Sequence, residues 1–112
     1  YVQTNLACDA MLDTMRWSGG NTSLDAIAAG LPIVTLPGRF MRARQSAAML
    51  AIAGVPELVA EDVDGYVAIA SRLAHDRAFR AAASARLQEG AARVFDDPAP
   101  VDALAAWLLA NG

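Results

Sequence analysis

The sequence predicts an α/β fold: a short parallel sheet flanked by helices, one domain over residues 1–112, helix-rich from about residue 62 onward. Three observations predict it. Short apolar runs alternate with helical stretches in the order strand, helix, strand, helix, strand, helix, the order of right-handed parallel crossovers. Glycine and proline punctuate that alternation at Gly19, Gly20, Gly30, Pro37, Gly38 and Gly54. The runs DAMLD and PIVTL are apolar without a polar alternate, as in strands buried on both faces.

Each element has a local reason. Residues 2–8 suit the end of a short helix. Residues 9–14 (DAMLDT) form an apolar run with acidic ends and read as a strand. Residues 22–29 read as a helix stopped by Gly30. Ile33 to Leu36 are rich in β-branched residues and form the second strand, ended by Pro37 and Gly38. Residues 41–53 are helical by their Ala, Met and Leu content, with Gly54 as the stop. Residues 57–60 (ELVA) give a third short strand. Asp62 is placed to cap a helix over residues 63–74, where Val63, Tyr66, Val67, Ala70 and Leu73 recur at helical spacing. Asp76 caps a further helix to about residue 94, weakened by Gly90. Pro98 and Pro100 open the last helix. Its Leu104, Trp107 and Leu108 form an apolar stripe suited to core or to docking.

Composition bounds the function. The chain has 112 residues, of which 55% are hydrophobic and 19% charged, enough for a core and too apolar for disorder. No apolar run reaches the roughly 20 residues of a membrane span. No basic segment leads into an apolar one as in a secretory leader, so a cytoplasmic protein is expected. A single cysteine, Cys8, expected as a small buried residue, excludes an internal disulfide and a cysteine zinc site. A single histidine, His75, excludes a two-histidine metal centre, so neither metal nor cofactor is expected. The net charge of −3 argues against nucleic-acid or membrane binding. All nine basic residues are arginine. Without lysine there is no P-loop, whereas arginine suits bidentate contact with phosphate or carboxylate. The chain opens on Tyr1 rather than Met, and three strands make a thin sheet. A piece of a larger α/β protein is expected.

The most informative stretch runs from Ser18 to Asp25. It follows a predicted strand and opens a predicted helix, the place where open α/β sheets bind ligands. Helix N-termini present free N–H groups to anions. Gly19 and Gly20 remove Cβ atoms that would hold a phosphate away, while Asn21, Thr22 and Ser23 add donors. Asp25, one turn on, suits the hydroxyls of a sugar. Together they read as a nucleotide-diphosphate site. Thr22 and Asp25 also have nearly the spacing of a capping box, a purely structural role. Arg39, Arg42 and Arg44 follow the second strand, placed for phosphate or acceptor contact or as a solvated helix face. Trp17 suits stacking on a base or sugar, and somewhat better suits covering a core edge. Asp9 and Asp13 lie about 13 Å apart along a strand, too far for a glycosidase pair. No catalytic base stands out.

The runs LDTMRWSGGNTSLDAIAAGLPIVTLPG, RFMRARQSAAML and GVPELVAEDVDGYVAIASRLAHD resemble, in order and spacing, the C-terminal catalytic half of the O-linked N-acetylglucosamine transferase/SPINDLY-type glycosyltransferases. The resemblance implies the GT-B architecture, two Rossmann-like halves facing across a cleft, with a UDP-sugar donor and a protein acceptor. It implies a bacterial chain with a further Rossmann-like half and tetratricopeptide repeats upstream, where the phosphate-binding lysine and acceptor-side groups lie. Asn21 and Thr22 match the pair of hydroxyl residues that hold the donor diphosphate, Asp25 the acidic residue on the ribose, and Arg44 an arginine after the next strand. Gly20 stands where several members have histidine, Asn21 replaces the first threonine, and Tyr1 falls near a base-pocket histidine. The expected function is the UDP-sugar-binding portion of a hexose transferase, N-acetylglucosamine foremost, inactive by itself. The alternative is a non-catalytic module that homodimerises through an apolar helix face.

Overall fold

A computed structural model describes residues 2–112, so the base-pocket position expected at Tyr1 lies outside the described residues. Helix α1 (Val2–Ala7) leads to strand β1 (Met11–Leu12), helix α2 (Asn21–Ala28) and strand β2 (Ile33–Val34). The strands pair in parallel, Met11 opposite Ile33 and Leu12 opposite Val34, so β1, α2 and β2 form one crossover unit. Gly30, at φ +70°, ends α2 in the left-handed conformation that favours glycine.

The third expected strand shrinks to one parallel bridge, Thr35 to Val59. Pro56, with its φ fixed near the helical value, opens a 3₁₀ turn over Pro56–Leu58 that takes up the start of the run. Two bonds keep the pairing, Thr35 N–H to Leu58 O at 3.1 Å and Ala60 N–H to Thr35 O at 2.8 Å. Ile33, Val34 and Thr35 are fully buried, as a two-faced strand requires. DAMLD is not buried that way: on the outer strand Met11 is half-buried and Leu12 is 60% exposed.

The helix expected over residues 41–53 is broken. A 3₁₀ turn (Met41–Ala43) precedes α3 (Gln45–Ala53), with Arg44 in a non-helical conformation between them. The break lets Ser46 reach the loop after β1, where Ser18 Oγ accepts its N–H at 2.9 Å. Two long helices follow, α4 (Val63–His75) and α5 (Arg77–Phe95). Asp62 and Asp76 cap them as expected, accepting from Gly65 N–H at 2.6 Å and Phe79 N–H at 3.0 Å. Each such cap stabilises by about 1 kcal/mol.

The core lies between β2 and helices α2 to α5, filled by Ile27, Leu50, Val55, Leu58, Leu73 and Leu87. Gly90 does not weaken α5 idly. It is buried where α5 crosses the end of α3, and a Cβ there would stand 1.9 Å from Ala53 O. Arginines of α5 close the same end of α3, Arg93 donating to Ile52 O and Ala53 O and Arg86 to Gly54 O.

A buried polar hub joins the layers. Asp13, 4% exposed, takes Gly19 N–H at 2.8 Å and the hydroxyls of Ser18 and Thr35 at 2.7 Å each. Tyr66 Oη donates to the Asp13 carbonyl at 2.8 Å, tying α4 to β1. Ser46 Oγ lies 2.8 Å from Ser18 Oγ and 2.7 Å from Ser23 Oγ, tying α3 to α2.

Helix α6 (Ala99–Asn111) has no buried residue; Leu104, Trp107 and Leu108 are each more than half exposed, so the stripe is not core. Its apolar residues are spread around the helix, and none of its sides packs on the body. Cys8 is exposed rather than buried, because α1 ends at Ala7 and leaves it on an outer loop. Among the described residues, no helix is long and apolar enough to cross a membrane.

Two measurements check this account. Gly90→Ala gains about 1 kcal/mol of helix propensity, yet backbone at 1.9 Å cannot yield as a side chain does. The variant is expected to lose roughly 1–3 kcal/mol net, read by urea titration; equal or greater stability contradicts the close crossing. Burial first, and the negative Asp13 second, push the Tyr66 phenol above its ordinary pKa. Stability from Tyr66 is therefore complete below about pH 10 and falls as pH rises through the elevated value. Melts between about pH 8 and 11.5 should show an alkaline decline that is shallower in Tyr66→Phe.

Candidate functional site

The loop from Asp13 to Gly20 leaves the C-terminal end of β1 and turns into α2. Gly20 occupies the position before the helix, and the first helical bond runs from Leu24 N–H to Gly20 O at 3.1 Å. No side chain caps α2. The capping-box role open to Thr22 and Asp25 is thus unfilled. Among the described residues, the N–H groups of Asn21, Thr22 and Ser23 have no protein acceptor. These amides carry the positive end of the helix dipole; Asn21 and Thr22 are exposed, whereas Ser23 is fully buried.

The expected site residues divide into two groups. Asn21, Thr22 and Asp25 are exposed, and no side-chain hydrogen bond holds them. Ser23 is fully buried, backbone amide included, and its hydroxyl is engaged with Ser46, so it offers no donor at the surface. The Gly19 N–H is likewise taken, by Asp13. Gly19 is glycine for packing: a Cβ would stand 2.4 Å from Ser23 Oγ and 2.6 Å from Thr22 Oγ1. Gly20 is different. A Cβ there would meet only the end of the flexible Gln45 side chain, at 3.1 Å.

A cavity of about 260 Å³ opens beside this start of α2, lined by Asn5, Leu12, Thr14, Gly19 and Thr22. Asn5, 7% exposed, was not singled out by sequence pattern; its Nδ2 has no partner among the described residues. A second cavity, of about 280 Å³, lies between the loops after β1 and β2 and is lined by Met15, Arg16, Arg39, Phe40 and Arg42. Trp17 is 69% exposed and does not cover a core edge. The Arg42 guanidinium sits 5.8 Å from its ring and 4.8 Å from that of Phe40. Arg44 is turned back, donating to Gly38 O at 2.9 Å. Arg39 is exposed.

Sequence reasoning missed the group that positions all of this. By sequence spacing alone Asp13 reads only as a partner of Asp9 in a carboxylate pair, and an excluded one. The available signal was a carboxylate ending a buried strand, five residues before a Ser-Gly-Gly turn, where a charge must be hydrogen-bonded to persist.

Comparison with known proteins adds an independent finding. The model of the family described as "Glycosyl transferase family 41" matches residues 1–96. The UDP-N-acetylglucosamine–peptide N-acetylglucosaminyltransferase of Caenorhabditis elegans is 38% identical over 76 residues, covering 68% of this chain and 7% of that protein. A Petunia hybrida protein described as "Probable UDP-N-acetylglucosamine–peptide N-acetylglucosaminyltransferase SPINDLY" is 32% identical over the same length, 68% of this chain and 8% of that one. Among solved structures, a mutant of the Thermobaculum terrenum O-GlcNAc transferase superposes with a TM-score of 0.77 at 35% identity, over 83% of this chain and 18% of that one. The chain therefore spans less than a tenth of the curated relatives' length. With a strand–glycine turn–helix unit in place and a family match over all but its last helix, the chain belongs to glycosyltransferase family 41, the O-GlcNAc transferase and SPINDLY group of GT-B fold.

Proposed function

We propose that this chain is the donor-binding portion of a transferase that moves a hexose, N-acetylglucosamine by likeness to its relatives, from UDP to a protein acceptor. The observation that carries this reading is the uncapped start of α2, where the amides of the exposed Asn21 and Thr22 have no protein acceptor among the described residues and stand near the free Thr22 hydroxyl and the free Asp25 carboxylate. The amides and Thr22 hold the diphosphate, and Asp25 accepts from the ribose hydroxyls. Their contribution to catalysis is electrostatic, stabilising charge that develops on the departing diphosphate.

Magnitudes set the limits of this portion. A helix terminus gives an anion about 0.3–1 kcal/mol, or about 2 when partly buried. Micromolar affinity needs about 8 kcal/mol. Base contacts and the other half of the cleft supply the remainder, together with the catalytic base. The chain by itself binds UDP weakly and does not turn over. With Cys8 an exposed free thiol, the compartment of this reading is the reducing cytoplasm.

A second reading draws on α6. Val101, Leu104, Trp107, Leu108 and Leu109 are all at least half exposed on a helix that carries one charge, Asp102. A helix apolar on every side is ordinarily enclosed. Self-association through α6 is the corresponding proposal, and it coexists with donor binding.

Thermal melts with UDP and with uridine test the first reading. UDP at about 100 times its Kd should add about 2.7 kcal/mol of stability, while uridine at the same concentration adds little. Thr22→Val with Asp25→Asn should abolish the UDP shift and leave the unliganded melt in place. No shift at saturating UDP, or unfolding of the double variant, returns these residues to a structural role. For the second reading, sedimentation velocity should show a concentration-dependent dimer that Trp107→Ser with Leu108→Ser converts to monomer; a monomer at all concentrations removes it.

A further inference from the structure

Arg16, Arg39 and Arg42 line one cavity between the loops after β1 and β2. Among the described residues, the ion pairs of the chain involve only Arg72, Arg80 and Arg86, so none of these three faces a carboxylate. In a chain of net charge −3 they form a positive ledge on an otherwise acidic molecule. Their setting is aromatic. The Arg42 guanidinium stacks 4.8 Å from the Phe40 ring and 5.8 Å from the Trp17 ring, which are 57% and 69% exposed. Stacking occupies the face of a guanidinium and leaves its N–H edge, where the donors lie in the plane, free for a carboxylate.

The ledge is held before any partner arrives. Ser18 N–H donates to Arg42 O at 2.7 Å, Gly38 N–H donates to Ala43 O at 3.1 Å, and the Thr14 hydroxyl donates to Trp17 O. Ser18 is itself fixed on buried Asp13. Such pre-organisation lowers the ordering cost of binding. Met41, 83% exposed, adds apolar surface on the turn that carries Arg42. Arginine, tryptophan, phenylalanine and methionine are the residues enriched where proteins grip proteins.

We propose that the ledge formed by Arg16, Trp17, Arg39, Phe40 and Arg42 docks an acidic peptide segment of a partner protein. Arg42 takes a carboxylate on its free edge, Arg16 and Arg39 attract its neighbours, and the two rings bed an adjacent apolar side chain. Charge selects the partner. The acidic remainder of the chain repels a long polyanion, whereas a short segment meets only the local field, which reaches about 8–10 Å in physiological salt. In the transfer reaction proposed above such a segment belongs to the acceptor. The docking itself does not rest on that reading, because it needs no nucleotide.

Fluorescence anisotropy of the chain with a fluorescein-labelled twelve-residue Asp/Glu/Leu peptide, without UDP, tests it. The peptide should bind, and raising salt should weaken it. Its Asn/Gln counterpart should bind at least tenfold more weakly. Arg39→Glu with Arg42→Glu should lower affinity at least tenfold, and Arg42→Lys, which keeps the charge but not the planar fork, severalfold. Trp17→Ala should weaken binding severalfold with the thermal melt unchanged. No peptide binding at millimolar chain, indifference to the double reversal, or equal affinity for an oligothymidylate of the same charge overturns the proposal. The UDP melt is scored separately, so failure of donor binding and failure of docking are distinguishable.

Discussion

One buried carboxylate organises the molecule. Asp13 leaves the end of β1 with no cation against it, and a bare charge in that position would cost several kcal/mol. Three donors offset the cost: the Gly19 amide and the hydroxyls of Ser18 and Thr35. Hydrogen bonds to a charged group contribute roughly 1.5–3 kcal/mol each, so three of them are of the size needed to offset that cost. The requirement is geometric as much as energetic. It fixes the turn after β1, sets β2 beside it through Thr35, and through Ser18 draws the start of α3 against α2.

That constraint explains why α2 begins as it does. A helix normally finds a side chain for its first amides. Here the Asp13 carboxylate is turned inward onto Gly19, two residues before the first helical amide, and Ser23 is turned inward onto Ser46. Thr22 and Asp25 remain outside. The uncapped amides are a by-product of how the hub is satisfied beneath them.

What the sequence revealed follows the range of each interaction. Asp62 and Asp76 act on amides three residues away, and both helices begin where the sequence places them. Gly30 and Gly54 act on their own backbone and stop α2 and α3 as expected. The hub joins residues 13, 18, 23, 35, 46 and 66, and no local pattern reports that these meet. For the same reason Ser23 was legible as a donor but not as a partner of Ser46, and the break at Arg44 was hidden inside a run of good helix formers. Pro56 did carry a local signal. Its 3₁₀ turn takes up the start of the strand expected over residues 57–60, and Val59 keeps one parallel bridge.

The crossing at Gly90 gives α3 a mechanical character. At one end its last carbonyls are wedged against α5; at the other, Ser46 bears on the serine beneath the amides of α2. The nine residues between form a strut about 12 Å long. Displacing α5 at this crossing would therefore shift α3 and, through Ser46, the serine at the start of α2.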